Sequence, residues 1–210
     1  MKFTNKQIQT LQDIILARRD VRGNNFLSEK IPQEDIDKIL FSAIHAPSVG
    51  YSQPWKFVVI DDEKIKKEIR ENFDIENEKA KNIFKDKKIY KELKLEGIKE
   101  APINIAVFYE YPNEPTIGMT SIEKMGEYSV VCAVENMWLM ARALNIGLGW
   151  ISILDEKKVL KTLNAPKNTQ LVAYLALGYV DEFYKEPELK TAKWKDEKTL
   201  QECTVSNRWV

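Results

Sequence analysis

Apolar and polar positions along the chain switch between helical and extended periods several times. Thr4 and Gln7 have capping-box spacing, and Ile8, Leu11 and Ile15 recur behind them on one helical face. That helix delivers Arg18 and Arg19 at its C-terminal end, with Gly23 just beyond as a stop. Pro32, followed by Glu34 and Asp35, reads as a first helical turn, and Ile36, Ile39, Leu40, Ala43 and Ile44 continue it as an apolar stripe. Pro47 closes this second helix. The polar loop "SVGYSQP" then leads into the strand-like "WKFVVI".

Between residues 62 and 100 Lys and Glu dominate, with scattered Ile, Phe and Tyr, which predicts mostly exposed helix as an excursion from the body. "INIAVFY" (103–109) predicts a buried strand. Pro112, Pro115 and Gly118 predict a loop or lid over 110–126. From Tyr128 to Asn145 apolar residues fall on nearly every face, the pattern of a central or interfacial helix. "GLGWISIL" and "QLVAYLALGYV" predict two further strands, with a short helix starting near Asp155 between them. The last thirty residues are polar with isolated tryptophans and read as an extended arm. No repeat and no linker divides the chain, so residues 1–210 are expected to form one α+β domain without regular βαβ alternation.

Bulk composition narrows the function classes. A hydrophobic fraction of 44% with 10% aromatics predicts a folded globular chain. With 32 basic and 32 acidic residues, no net field draws it to nucleic acid or to an anionic membrane. The first residues lack the apolar run of a secretory signal, and no stretch approaches the length of a membrane span. Cys132 and Cys203 are far apart and His45 is the single histidine, so no metal site is expected and a reducing cytoplasm is the natural location.

Arginine changes the picture. There are 6 Arg against 26 Lys, and Arg18, Arg19 and Arg22 lie within "RRDVR". A guanidinium presents five donors in a fixed fork that matches a phosphate, and it stays charged at any physiological pH. Such a cluster is either a solvated face or a phosphate reader. Neither a GxGxxG turn nor a GxxxxGK[ST] loop occurs, so side chains rather than backbone amides would do the reading. The loop "HAPSVGYSQPW" (45–55) offers Ser48 and Gln53 as hydrogen-bonding groups between two stiffening prolines, or is a plain surface loop. His45 reads as a packed helix residue rather than a base. Ser152, on an apolar strand, needs a hydrogen-bond partner, which backbone could supply. Asp20, between arginines, would by default be a salt-bridged carboxylate with depressed pKa.

In order along the chain come "RRDVR", "APSVGYSQPW", "KLEGIKEAPINIAV", "YSVVCAVENMWLMARALNIGLGWISILD" and "AYLALGYVDEF". With these, residues 8–195 resemble the nitroreductase-like flavoprotein superfamily. The Asp of "RRDVR", the "SVG" and the "GWISILD" narrow the likeness to the subgroup that makes dimethylbenzimidazole, the lower ligand of vitamin B12, from flavin.

The resemblance implies a mixed, largely antiparallel sheet flanked by helices, in a homodimer whose chains exchange terminal arms and share two flavin sites. It implies that Arg18, Arg19 and Arg22 hold the phosphate and ribityl tail of FMN, with Asp20 and Val21 beside the cofactor. Ser48 and Leu95 match flavin-contacting positions, and Arg208 is placed like a late basic residue at the phosphate. The implied reaction is cleavage of reduced FMN by dioxygen. Flavin would then be substrate, delivered by a flavin reductase, with Asp20 and Ser152 as catalytic residues. Met119 and Gly126, in the lid, stand where the subgroup is expected to carry a basic and an acidic residue. An NAD(P)H-dependent nitroreductase or quinone reductase of the same superfamily is the alternative, and an FMN-storage protein a third.

Overall fold

The computed structural model describes residues 1–86 and 88–209. Its centre is an antiparallel sheet of four strands: β1 (Trp55–Ile60), β2 (Ile103–Glu110), β3 (Gly147–Ile151) and β4 (Thr169–Gly178), in the order β1-β2-β4-β3. Strand alternation divides the core into two layers. Ile105, Val107, Tyr109, Leu148, Ala173, Leu175 and Leu177 face one side, under α2 (Gln33–Ile44) and α4 (Met125–Ala143). Ala106, Phe108, Ile151, Tyr174 and Ala176 face the other, under α3 (Glu63–Ile83) and α5 (Glu156–Thr162). A bulge opposite Val107 and Phe108 shifts the register, which puts Leu171 on the second face although it is two residues from Ala173.

Several sequence signals act as expected. The Thr4 and Gln7 side chains close a capping box at the start of α1 (Asn5–Ala17). Ile36, Ile39 and Ala43 form the buried stripe of α2, and Asp155 caps α5. His45 turns Nδ1 to the Phe41 carbonyl at 2.7 Å and lays its ring near that of Phe41.

Others act differently. The first helix ends at Arg18, which is already extended, five residues before Gly23. Gly23 instead allows close approach: a Cβ there would lie 2.9 Å from the Glu100 carboxyl and 3.0 Å from the Glu96 carbonyl. The lysine-rich stretch 62–100 contributes more to the interior than its composition implies, since Ile69, Phe73 and Ile98 are buried in the second layer. No residue of α1 is buried, and Ile8, Leu11 and Ile15 are 49, 53 and 48% exposed. No described helix is long and apolar enough to cross a membrane.

Candidate functional site

The segment after α1 runs beside the free edge of β3. Asp20 pairs in parallel with Leu148, and the Val21 amide donates to the Leu148 carbonyl at 3.0 Å. Two glycines of "GLGW" permit this approach. A Cβ on residue 149 would stand 2.1 Å from the Val21 carbonyl oxygen, and one on residue 147 would meet the Val21 and Val180 side chains. The segment is thereby fixed in register, and the Trp150 amide donates to Asp20 Oδ1 at 3.0 Å.

The three arginines divide their work. Arg22 pairs with the second oxygen of Asp20 and also reaches the carbonyls of Trp150 (3.3 Å) and Leu95 (3.4 Å). Arg19 is committed to backbone. Its Nε donates to the Tyr184 carbonyl at 2.8 Å, and its terminal nitrogens donate to those of Leu16, Arg18 and Lys185. The Arg18 guanidinium lies 4.5 Å over the Trp138 ring and makes no hydrogen bond among the described residues, so its fork is available to a ligand.

Arg18, Arg19, Asp20, Arg22 and Leu95 line one cavity of about 150 Å³, which joins positions more than seventy residues apart in the chain. Lys94, Tyr184 and Glu188 complete its polar lining. Sequence reading missed these three. Lys94 is one of 26 lysines and sits next to Leu95, while Tyr184 and Glu188 reach the cavity only because the chain after β4 folds back over it.

Burial governs the acids here. It pushes the Asp20 carboxyl above its ordinary 3.8, outweighing the Arg22 charge and the Trp150 amide, which pull it down. The ion pair expected at Asp20 is therefore present, but the expected depression is reversed. Glu188 is also raised by burial, with Arg22 pulling it down and Asp20 pushing it up.

The other candidates lie elsewhere. Ser152 falls just past the end of β3, exposed and outside the arginine cavity, so the expected buried strand serine is not found. Ser48 turns its hydroxyl back to accept from the Gln53 amide at 3.1 Å. Gln53 itself lines a separate cleft with Tyr109, Tyr111 and Met119. Gly50, Tyr51 and Gln53 all adopt left-handed φ (56, 54 and 47°), a strained loop that stacks against the lid at Ile117. Arg208 is on the exposed C-terminal arm and does not line the cavity.

The two departures in the lid have packing reasons. Met119 packs against the first core layer, and a Cβ on residue 126 would stand 2.4 Å from the Tyr109 hydroxyl. Among the described residues no group of acids, histidines and cysteines could hold a metal ion.

The fold is that of a known class. A model of the nitroreductase family matches residues 15–179, and the chain belongs to that family. Within it, the chain is 38% identical over 182 residues to the 5,6-dimethylbenzimidazole synthase of Rhodospirillum rubrum, across 85% of each chain. It is 34% identical over 203 residues to the synthase of Rhodobacter capsulatus, across 93% of this chain and 96% of that one. The crystal structure of oxidised iodotyrosine deiodinase bound to FMN and 3-iodo-L-tyrosine superposes with a TM-score of 0.71 at 26% identity, over 95% of this chain and 100% of that one.

Proposed function

We propose that the chain binds reduced FMN and cleaves it with dioxygen to give dimethylbenzimidazole. The observation that carries this reading is the position of Asp20. Its carboxyl is fixed by the Trp150 amide, has its pKa raised by burial, and is set on the wall of a cavity that also holds an uncommitted guanidinium. The names of the two bacterial relatives supply the reaction class.

The residues present fit a mononucleotide. Arg18 has its donors free, and Lys94 is held only loosely, 3.6 Å from Glu96 and 3.9 Å from Glu100. These two cations would take the phosphate, while Arg22 orients Asp20. Reduced FMN would supply both the electrons that dioxygen consumes and the ring atoms of the product. Asp20, partly desolvated and held by two donors, would then carry protons between the ribityl chain and the ring edge. Trp138 lies under the Arg18 guanidinium and would help to hold it in place for the ligand. Arg19 serves by holding the chain at Tyr184 and Lys185 rather than by touching phosphate.

Ser48, Gln53, Ser152 and Arg208 lie outside the cavity of their own chain, and a role for them at the flavin rests on a homodimer with the site at its interface. The exposed apolar face of α1 supports that assembly. So does α4, whose Tyr128 and Val131 face outward. A separate flavin reductase would supply FMN in its reduced form.

One observation favours the reductase alternative: Ser152 is exposed at the end of β3 with no hydrogen-bond partner among the described residues. One experiment separates the readings. Purified protein is incubated aerobically with chemically reduced FMN, and dimethylbenzimidazole is sought by mass spectrometry. Its absence, together with anaerobic NAD(P)H oxidation by a nitroaromatic, would assign the chain to the reductases. Absence of both activities with tight FMN binding would leave storage.

A further inference from the structure

One carboxylate oxygen beside the arginine cavity faces two cations. Glu96 is buried, its side chain 3% exposed, and its Oε1 accepts from Nη1 of Arg70, on α3, at 2.8 Å. The same oxygen lies 3.6 Å from the Lys94 ammonium, which is half-exposed and lines the cavity. The other oxygen accepts from the Ile98 amide at 3.2 Å. Arg70 is itself clamped, with Nε on Asp74 Oδ1 at 2.9 Å and the guanidinium 5.8 Å from the Phe73 ring. Glu100 is the second carboxylate near Lys94, 3.9 Å away.

The backbone of this loop is held without Arg70. The Gly23 amide donates to the Glu96 carbonyl at 2.7 Å, and Arg22 reaches the Leu95 carbonyl at 3.4 Å. Removing Arg70 would therefore change which cation holds the carboxylate before it moved the chain. A buried carboxylate left without a cation is strongly destabilised. Lys94 is the only other cation within 4.0 Å of Glu96 among the described residues, and its flexible stem can close the remaining distance. Its ammonium would then leave the cavity wall. We propose that Arg70 is a positioning residue: by saturating Glu96 it keeps the Lys94 ammonium free for an anionic ligand, although Arg70 does not line the cavity itself. The side chains suit this division, since a rigid guanidinium holds two carboxylates at once while an ammonium is a mobile point charge. This rests on the reading that the cavity takes the FMN phosphate, and it adds a residue outside the cavity that sets selectivity for it.

The test measures FMN and riboflavin binding by flavin fluorescence for the full chain and its variants. Lys94→Ala should weaken FMN roughly tenfold, the loss of one charge-assisted contact at a half-exposed site, and leave riboflavin unchanged. Arg70→Ala should give the same selective loss, and in the Lys94→Ala background it should cost nothing further. Arg70→Ala combined with Glu96→Gln should bind FMN as the wild type does, because Glu96 no longer draws Lys94 away. Should Arg70→Ala fail to fold, Arg70→Gln carries the same comparisons. In the ligand-free protein, limiting acetic anhydride should modify Lys94 severalfold more slowly in Arg70→Ala, since a paired ammonium keeps its proton, and at the wild-type rate in the double variant. Peptide mass spectrometry reads that rate. A loss in Arg70→Ala that riboflavin shares, that persists without Lys94 or that Glu96→Gln does not relieve overturns the proposal, as does an unchanged rate of modification. If Lys94→Ala leaves FMN affinity intact, the phosphate assignment is what has failed, and the modification rate alone then decides whether Arg70 frees Lys94.

Discussion

Residue 149 is a glycine because the carbonyl oxygen of Val21 occupies the place of its side chain, 2.1 Å from where a Cβ would stand. This contact links two segments 128 residues apart and sets the height of Asp20 over β3. The obstacle is backbone, which has no rotamer to yield. Gly149→Ala should therefore push residues 20–22 off the sheet edge, at a cost of about 3 kcal/mol. Urea denaturation measures that cost, and FMN titration should show affinity lost with it. An alanine variant that kept both would show that the edge segment is free to shift.

The arginines should separate by phenotype. Arg18→Ala removes uncommitted donors, so FMN affinity should fall by roughly ten- to a hundredfold while the melting temperature holds, and riboflavin should be little affected. Arg19→Ala should lower the melting temperature and expose the chain near Tyr184 to protease, with a smaller loss of FMN. Calorimetry on both variants, with both flavins, reads the split. Equal losses of phosphate selectivity would mean that Arg19 releases its carbonyls to hold the ligand.

Asp20 gives a pH dependence whose sign can be worked out. Burial raises its folded-state pKa above 3.8, so the folded chain holds this proton more tightly than the unfolded one. The associated stability is fully present below the unfolded value and is lost as pH rises through the folded value. Asp20→Asn removes the titration and leaves Arg22 without its ion-pair partner at every pH. The stability difference between wild type and Asp20→Asn should therefore shrink as pH rises through the carboxylate range. Urea melts across that range follow it. A difference that grows with pH would put the Arg22 pairing above burial.

How much of this was legible in the sequence depends on whether the signal was local. The four strand segments, the Thr4 capping box, the α2 stripe and the short helix starting near Asp155 are short-range patterns, and each has its counterpart in the structure. The arginine cluster with Leu95 was legible by resemblance, and these residues do meet in one cavity. What was not legible needed a partner distant in the chain. Gly23 looked like a helix stop, but its neighbours are Glu96 and Glu100. Ser152 looked like an interior strand residue because "GLGWISIL" reads as one apolar run, yet pairing with β4 ends at Ile151 opposite Tyr174. Asp20 looked like an ordinary ion pair because desolvation leaves no mark in a sequence. Ile69 and Phe73 were diluted by the lysines around them, although helical spacing puts both on the buried face of α3.

The face of α1 supplies the last prediction. Thirteen residues are too few to hold a helix in water without packing, and α1 buries none of them within its own chain. Ile8, Leu11, Ile15 and Leu16 are spaced to be covered together, and a second copy of the chain is the partner that the homodimer reading assigns. In a two-fold dimer each substitution counts twice, because the same patch occurs on both subunits. Leu11→Lys should then cost about 3–6 kcal/mol of association, two leucine burials, and weaken the dimer by two to four orders of magnitude. Sedimentation velocity at micromolar concentration should show a dimer for the wild-type chain and a monomer for the variant, with FMN affinity falling in parallel. A wild-type chain that sediments as a monomer, or a variant that dimerises as tightly as wild type, would remove α1 from the interface and with it the route by which Ser48 and Arg208 reach the flavin.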